Sequence, residues 1–253
     1  MKNLIKYIIL SSLRNRIYTG IFICLAIAYG ISIILGNTNL IEQNQTSIIY
    51  ASFSSRIILI FGIILFVCIS IGNIFNNKEI DFILTKSISR QEFIISYLIG
   101  FFLASLIILL FIASVLLFLF KVDLLSLFFW LLTICAELMI IISFSLLSSL
   151  ILKNQFNAIL STVAFYILSR MMSIFTFSFS FSNDLAIAKN HLGNFILKII
   201  SLFFPRLDLF GQSQWLIYKI ENYDNFRIIA TQTIIYIALM IVMSFYDFKN
   251  KEF

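Results

Sequence analysis

The sequence has few of the residue types that soluble proteins and enzymes rely on. Only 12% of its 253 residues are charged, and it contains one histidine, one proline, three cysteines and eight glycines. A soluble domain averages roughly 25% charged residues. The polar surface that would keep such a chain in solution is therefore missing. One histidine also excludes a metal centre built from several histidines.

The three cysteines do not indicate a special chemistry. Cys24, Cys68 and Cys135 fall inside apolar runs, with no CxxC spacing between them. Cysteines in such surroundings act mainly as small hydrophobic residues. We therefore expect neither a disulfide nor a bound metal.

Long apolar runs dominate what is present. Hydrophobic residues make up 61% of the chain, its mean hydropathy is +1.03, and runs of about 20 apolar residues are candidates for membrane spans. The sequence predicts an all-α integral membrane protein, with residues 1–253 forming one transmembrane domain. Six spans are predicted, at about 17–35, 57–75, 93–120, 124–152, 156–178 and 228–246. Short polar breaks near 121–123 and 153–155 predict tight helical hairpins.

The N-terminus and the basic residues set the expected orientation. Basic residues at 2, 6, 14 and 16 alternate with aliphatic ones, a pattern that predicts an amphipathic helix in the membrane interface rather than a cleaved signal peptide. The predicted short outer connections keep only Arg56 and Lys121. By the positive-inside rule, both termini are expected in the cytoplasm.

Charge gathers between the second and third predicted spans, in residues 77–92. Apolar side chains lie among these charges, as a helix on the membrane surface requires, whereas a solvated loop would not need them. Ser87 and Ser89 can cap a helix that starts near Gln91, with Glu92 in its first turn. The pattern predicts a short cytoplasmic helix followed by a capped entry into the third span, and such an element suits docking by a soluble partner.

The stretch "FILTKSISRQEFIISYLIG", which follows Glu79, resembles the segment between the first two membrane hairpins of ABC-2-type transporter permeases. Ile88, Ser89, Arg90 and Phe93 stand at the positions of that family's motif. The six-span plan, the amphipathic N-terminus and "FPRLDLF" at 204–210 extend the resemblance over nearly the whole chain. The sequence departs from the family pattern at Ser87, where proline is usual, and at 96–97, where Gly-Lys is usual.

The resemblance implies a transporter subunit in a bacterial cytoplasmic (inner) membrane, with export as the expected direction. Its partners would be a P-loop ATPase, a second copy or homologue of this permease, and membrane lipid, but no nucleic acid. The chain itself has no G-x-x-x-x-G-K-[ST] motif, so it is expected to catalyse nothing and to bind no cofactor; ATP and Mg would bind the partner. The residues implied in coupling to the ATPase are Glu79, Asp81, Phe82, Leu84, Ile88, Ser89 and Arg90.

Other functions remain open from the residues alone. An ATP-independent channel or a membrane scaffold would need no ATPase and would tolerate changes in 77–92. A membrane-embedded enzyme is less favoured, because no acidic cluster occurs in any predicted span and no G-x-S-x-G motif is present. The transported substrate is not indicated by the sequence.

Two charges fall inside predicted spans. Glu137 lies in the fourth and Arg170 in the fifth, at nearly equal distances from the hairpin tip between them. A charge at mid-bilayer costs roughly 2.5–3.5 kcal/mol on insertion scales. We expect the two side chains to form an intramembrane ion pair; a structural role is favoured over a substrate-binding one, and a protonated Glu137 is the alternative.

The long segment 179–227 is expected on the outer face. Its amphipathic pattern is stopped by the only proline, Pro205. The apolar run before it is too short to cross, which predicts a re-entrant or interfacial helix. This outer re-entrant segment is marked by Phe204, Pro205, Arg206 and Asp208. It could act as a gate or as a structural lid, and the sequence does not decide between the two roles.

Overall fold

The computed structural model describes residues 2–38, 42–77, 89–152, 154–174, 204–218 and 224–250. Within these ranges the chain forms seven α-helices and two short 3-10 turns, Leu207–Leu209 and Ser213–Leu216. The helices are α1 (Lys2–Leu13), α2 (Arg16–Thr38), α3 (Gln43–Asn76), α4 (Arg90–Phe118), α5 (Leu124–Ile151), α6 (Gln155–Arg170) and α7 (Asp224–Asn250).

Six of the helices, α2 to α7, are long and apolar enough to cross a membrane. The predicted all-helical fold with six candidate spans is confirmed for the described part of the chain. The predicted fifth span, 156–178, extends past residue 174 and so ends outside the described residues. Six apolar helices of this length fit a multi-pass membrane protein.

Helix α3 differs most from its prediction. The apolar run begins at 57, but the helix begins at Gln43 and has 34 residues, a length of about 51 Å. The hydrocarbon core of a bilayer is about 30 Å thick, so this helix is longer than a bilayer requires. Hydroxyl side chains in its polar first turns bond back to carbonyls of the preceding turn, as Ser54 Oγ does to the Tyr50 carbonyl at 2.6 Å, so these polar groups are satisfied within the helix.

The first two spans pack closely over a small residue. A side chain at Gly62 of α3 would lie 2.5 Å from Ile21 of α2, so glycine is needed for this approach. Tyr18 of α2 meets Phe66 of α3 edge to face, with ring centroids 4.9 Å apart. The large aromatic and aliphatic side chains of this pair form part of a single hydrophobic cluster that reaches every helix.

Helix α1 is a separate element that packs against α4. Ile8 and Ser12 are buried, whereas Tyr7 and Leu10 are exposed. The exposed side carries these apolar side chains as well as Lys6, so the amphipathic character of the helix stays a prediction. Its position in a membrane interface stays a prediction.

Both polar breaks between spans contain a helix N-cap. The carboxylate of Asp123 accepts a hydrogen bond from the backbone N–H of Ser126 at 3.3 Å, and the side-chain oxygen of Asn154 accepts one from Phe156 N–H at 3.0 Å. Such caps satisfy backbone donors that the first helical turn leaves free. They start α5 and α6 immediately after each turn.

The antiparallel connections give the bundle two ends. The proximal end holds the end of α3 and the starts of α4 and α6, and there Gln155 Nε2 donates to Asn73 Oδ1 at 3.0 Å. The distal end holds the Asp123 turn, the end of α6 and residues 204–218. We call residues 204–218 the distal segment.

Candidate functional site

Two arginines from different helices hold the backbone of the distal segment. Arg56 of α3 donates from Nη1 to the carbonyl of Gly211 at 2.6 Å and to that of Phe210 at 3.3 Å. Arg170, at the end of α6, donates from Nη1 to the carbonyl of Phe210 at 2.9 Å and also to that of Leu207. We call these two arginines and three carbonyls the distal clamp.

The clamp is buried inside the bundle. Arg56 is only 3% exposed, and Leu207 and Phe210 are fully buried. A buried guanidinium is costly unless its N–H groups find acceptors. The carbonyls of the distal segment supply those acceptors in place of water, and the segment in turn has its own carbonyls satisfied.

Gly211 fits the clamp because it has no side chain. Its φ is +55°, in the left-handed region that glycine adopts without cost. A Cβ atom there would lie 3.0 Å from Cδ of Arg56. The backbone N–H of Gly211 donates to Thr133 Oγ1 of α5 at 3.2 Å, so both polar groups of this residue are bonded to the helical bundle.

Glu137 of α5 belongs to the same cluster. Its side chain is fully buried, the charges of Arg56 and Arg170 act on its carboxylate, and Tyr166 lies beside it. Neither carboxylate oxygen accepts a hydrogen bond of good geometry from a described residue, and the neighbouring donor is the Tyr166 hydroxyl. The cluster therefore contains a buried carboxyl group that is poorly satisfied, next to two arginines that are bonded elsewhere.

Glu137 and Arg170 lie at the same height in the bundle. Ser148 Oγ of α5 donates to the carbonyl of Ala158 of α6 at 3.2 Å, which aligns the two helices. At 1.5 Å per residue, Glu137 lies about 17 Å beyond Ser148, and Arg170 about 18 Å beyond Ala158.

The ion pair expected between Glu137 and Arg170 is not a direct contact in this structure. The salt bridge that the described residues form at this end joins Arg206 to Asp208, and Arg170 donates to carbonyls instead. The reason is that the distal segment inserts its backbone within reach of the guanidinium. Sequence alone did not place that segment inside the bundle.

The predicted outer residues all lie in the distal segment. Pro205 is buried, and the ring of Phe204 meets that of Phe165 of α6 at 5.7 Å. Arg206 Nη2 lies 3.2 Å from Asp208 Oδ2, and Arg206 N–H donates to Gln232 Oε1 of α7 at 3.3 Å. The distal segment contains two short 3-10 turns joined by irregular chain. The amphipathic helix predicted before Pro205 falls largely outside the described residues.

The proximal end contains the entry into α4. Ser89 Oγ accepts from the backbone N–H of Glu92 at 3.2 Å, and Glu92 Oε2 accepts from Ser89 N–H at 3.1 Å. This reciprocal pair is a capping box. The helix starts at Arg90, so the cap that the sequence predicted at Ser89 is confirmed.

Arg90 connects this entry to the last helix. Its Nη1 donates to the carbonyls of Phe248 at 2.8 Å and Lys249 at 3.0 Å, near the end of α7. Phe93 stacks on Phe248 with ring centroids 5.5 Å apart. We call the Arg90 contacts with α7 the proximal bridge. It borders a groove of about 340 Å³ lined by Ser89, Arg90, Gln91, Ile94, Phe245, Tyr246, Phe248 and Lys249.

The other residues predicted to couple to an ATPase, Glu79, Asp81, Phe82, Leu84 and Ile88, lie outside the described residues. Within the described ranges, no group of three or more His, Cys, Asp or Glu side chains is placed to hold a metal ion. The candidate site is therefore limited to the distal clamp with Glu137 and to the proximal bridge.

Sequence reasoning missed Arg56, Thr133 and Gly211 as members of the site. Arg56 was assigned to an outer connection because it directly precedes an apolar run. The hydroxyl-rich stretch before it could have extended the helix, since Ser and Thr side chains can bond within a helix in apolar surroundings. The partners of Arg56 lie 154 and 155 residues away in sequence, and no local pattern identifies them.

No protein-family model matches the chain, and no curated protein matches it in sequence.

Proposed function

We propose that this chain is the membrane permease subunit of an ATP-driven transporter, working with a separate P-loop ATPase in a bacterial inner membrane. Residues 77–92 would be the coupling helix on the cytoplasmic side, and the proximal end of the bundle would face the ATPase. Two permease chains, identical or homologous, would form the pathway between them. The direction of transport that we propose is export.

The proximal bridge is the observation that carries this proposal. The proposed coupling segment leads directly into Ser89 and the capped start of α4, and Arg90 ties that start to α7. A force applied to the segment would therefore move α4 and α7 together. Transmission of this kind is what a permease needs in order to convert closure of its ATPase into tilting of its spans.

The absence of a phosphate-binding motif in the sequence agrees with ATP binding on a separate subunit. A P-loop cradles phosphates with a glycine-rich backbone and a lysine, and the chain has only eight glycines, none in such a motif. ATP and Mg would bind the partner subunit. A channel or scaffold would have no need to couple the start of α4 to the end of α7.

The test is affinity purification of the tagged protein from membranes in mild detergent. The wild type should recover a P-loop ATPase, and the double variant Glu79→Gln/Arg90→Ala should lose it. Glu42→Ala/Arg227→Ala is the matched control, since it also removes one acidic and one basic side chain, both exposed, but at the distal end. It should keep the ATPase.

Size-exclusion chromatography of each variant would show that the folded protein is retained. Failure of the wild type to recover any ATPase would contradict the proposal and favour the channel or scaffold. Equal recovery with both double variants would contradict the assignment of 77–92 as the docking element.

A further inference from the structure

Glu137 is a costly residue in the arrangement observed. Both of its carboxylate oxygens are buried and accept no hydrogen bond of good geometry from any described residue. Leaving a buried carboxylate without a partner is strongly unfavourable. An ionised Glu137 in that position gains an arginine as its partner only if one of the neighbouring guanidinium groups turns to it in another state of the protein.

Donors for Glu137 are already close. Arg56 and Arg170 act electrostatically on its carboxylate, yet their Nη1 groups donate to backbone carbonyls of the distal segment. The Nε of Arg56 is buried and has no hydrogen-bond partner among the described residues. Because Glu137 and Arg170 lie at the same height, pairing them would not require one helix to slide past the other.

We propose that the distal clamp is a two-state switch in which Glu137 is the alternative acceptor. In the closed state, which is the one observed, the arginines bond to the carbonyls of Leu207, Phe210 and Gly211. In the open state, the distal segment withdraws and the arginines pair with Glu137. The distal segment is thus a displaceable plug of the bundle.

Such an acceptor lowers the cost of opening. Withdrawal of the segment on its own would leave two guanidinium groups inside the bundle without their carbonyls, which is a large penalty. Pairing with Glu137 offsets that penalty, so the closed and open states can lie close in free energy. Bistable pairing of this type allows a small shift to be converted into a discrete movement.

The way the segment is held also favours release. The clamp grips it by its backbone, and Gly211 N–H adds one bond to Thr133 of α5. Thr133 and Glu137 are four residues apart on one face of α5. Withdrawal of the segment would uncover a polar face made of Thr133, Glu137 and the two arginines at the distal end.

The test measures how often the plug opens. Leu207 is fully buried, so we would place a single cysteine there, Leu207→Cys, in a protein in which Cys24, Cys68 and Cys135 are replaced by alanine. The rate of labelling by a polar maleimide in lipid nanodiscs, which expose both faces, reports opening. Glu137→Gln removes the alternative acceptor and should lower this rate roughly tenfold, a typical coupling between two states.

A purely structural Glu137 predicts the opposite direction. If the carboxylate only balances the arginines in the closed state, Glu137→Gln loosens the clamp and raises the labelling rate. A raised or unchanged rate would overturn the proposal. So would a parent protein whose introduced cysteine at position 207 is never labelled until it is denatured.

Two further proteins keep the outcome interpretable. A version that retains only Cys68, which is fully buried on α3, should show the same slow labelling with and without Glu137→Gln, because it reports general unfolding. Should Glu137→Gln fail to fold, Glu137→Asp keeps the charge but shortens its reach. It should give a smaller decrease than the amide variant is expected to give, and an increase would again overturn the proposal.

Discussion

The two ends of the bundle use the same contact in different surroundings. At the distal end, Arg56 and Arg170 donate to carbonyls of an irregular segment; at the proximal end, Arg90 donates to carbonyls near the C-terminus of α7. Arg56 is 3% exposed, whereas Arg90 lies at the surface. The same arginine–carbonyl contact should therefore contribute more to stability at the distal end than at the proximal end.

Burial explains the difference. An exposed arginine can exchange a carbonyl for water at little cost, so its contact mainly fixes the relative position of the two helices that it joins. A buried arginine has no water to take over, so its acceptors become obligatory. The distal clamp should thus dominate stability, and the proximal bridge should dominate the transmission of movement.

The largest effect is expected from Arg56→Ala. It takes a donor from the carbonyls of Phe210 and Gly211 and removes a positive charge that acts on the buried Glu137, so the free energy of unfolding should fall by about 3 kcal/mol or more. The stability of Arg56→Lys should lie between that of Arg56→Ala and that of the wild type, because lysine keeps the charge but lacks the planar fork of donors that arginine has. Unfolding by SDS in mixed micelles measures the stability of both variants. If Arg56→Ala loses less stability than Arg90→Ala, the proposed difference between the buried distal end and the exposed proximal end is contradicted.

Gly211→Ala should have the next largest effect. The left-handed backbone costs a non-glycine residue about 1–2 kcal/mol, and the new Cβ would lie 3.0 Å from Arg56. Gly30→Ala is the matched control, since a Cβ there meets nothing within 4 Å and should be neutral or slightly stabilising. The same unfolding assay checks both, and equal values for the two variants would show that Gly211 is not under strain.

Ser89→Ala tests the start of α4 at the proximal end. Loss of the capping side chain should cost about 1 kcal/mol. Ser114→Ala, in the same helix, removes a hydroxyl that bonds to the preceding turn at Phe111 and should change little. Thermal unfolding curves of the two variants give the comparison; a cost at Ser114 as large as at Ser89 would argue against the cap.

Arg90→Ala should have the smallest effect on stability. A basic side chain at the end of a helix contributes about 0.3–1 kcal/mol, so the free energy of unfolding should change by less than for any variant above that alters the clamp or the cap. The single substitution leaves Glu79 in place, so the ATPase should still copurify, but its ATP hydrolysis should no longer respond to the permease. A large loss of stability with normal coupling would reverse the roles assigned to the two ends.

The fold could be predicted from the sequence to a large extent because the membrane leaves few solutions for apolar runs. Long apolar runs located the spans, Ser89 indicated a helix start through its capping chemistry, and the polar breaks near 121–123 and 153–155 indicated the turns between helices. These signals are local, and each depends on residues a few positions apart. The start of α3 was misplaced because a hydropathy window does not register serines that bond within their own helix.

The candidate site could be predicted only in part. The equal depth of Glu137 and Arg170 follows from counting residues along a hairpin. Arg170 was expected to pair with Glu137, but its bonds run to a segment that carries no helical or strand pattern. Contacts between a side chain and distant backbone carbonyls leave almost no sequence signature, since every residue has a carbonyl.

One measurement tests the connection between the two ends most directly. The Leu207→Cys permease, with its three native cysteines replaced, would be purified with its ATPase in nanodiscs, and the rate of maleimide labelling compared with and without ATP and Mg. We predict that ATP changes the labelling rate at position 207, that Arg90→Ala abolishes the change, and that a protein with only Cys68 shows none. An ATPase that hydrolyses ATP in the complex while labelling at position 207 stays constant would contradict a permease whose proximal bridge controls its distal clamp.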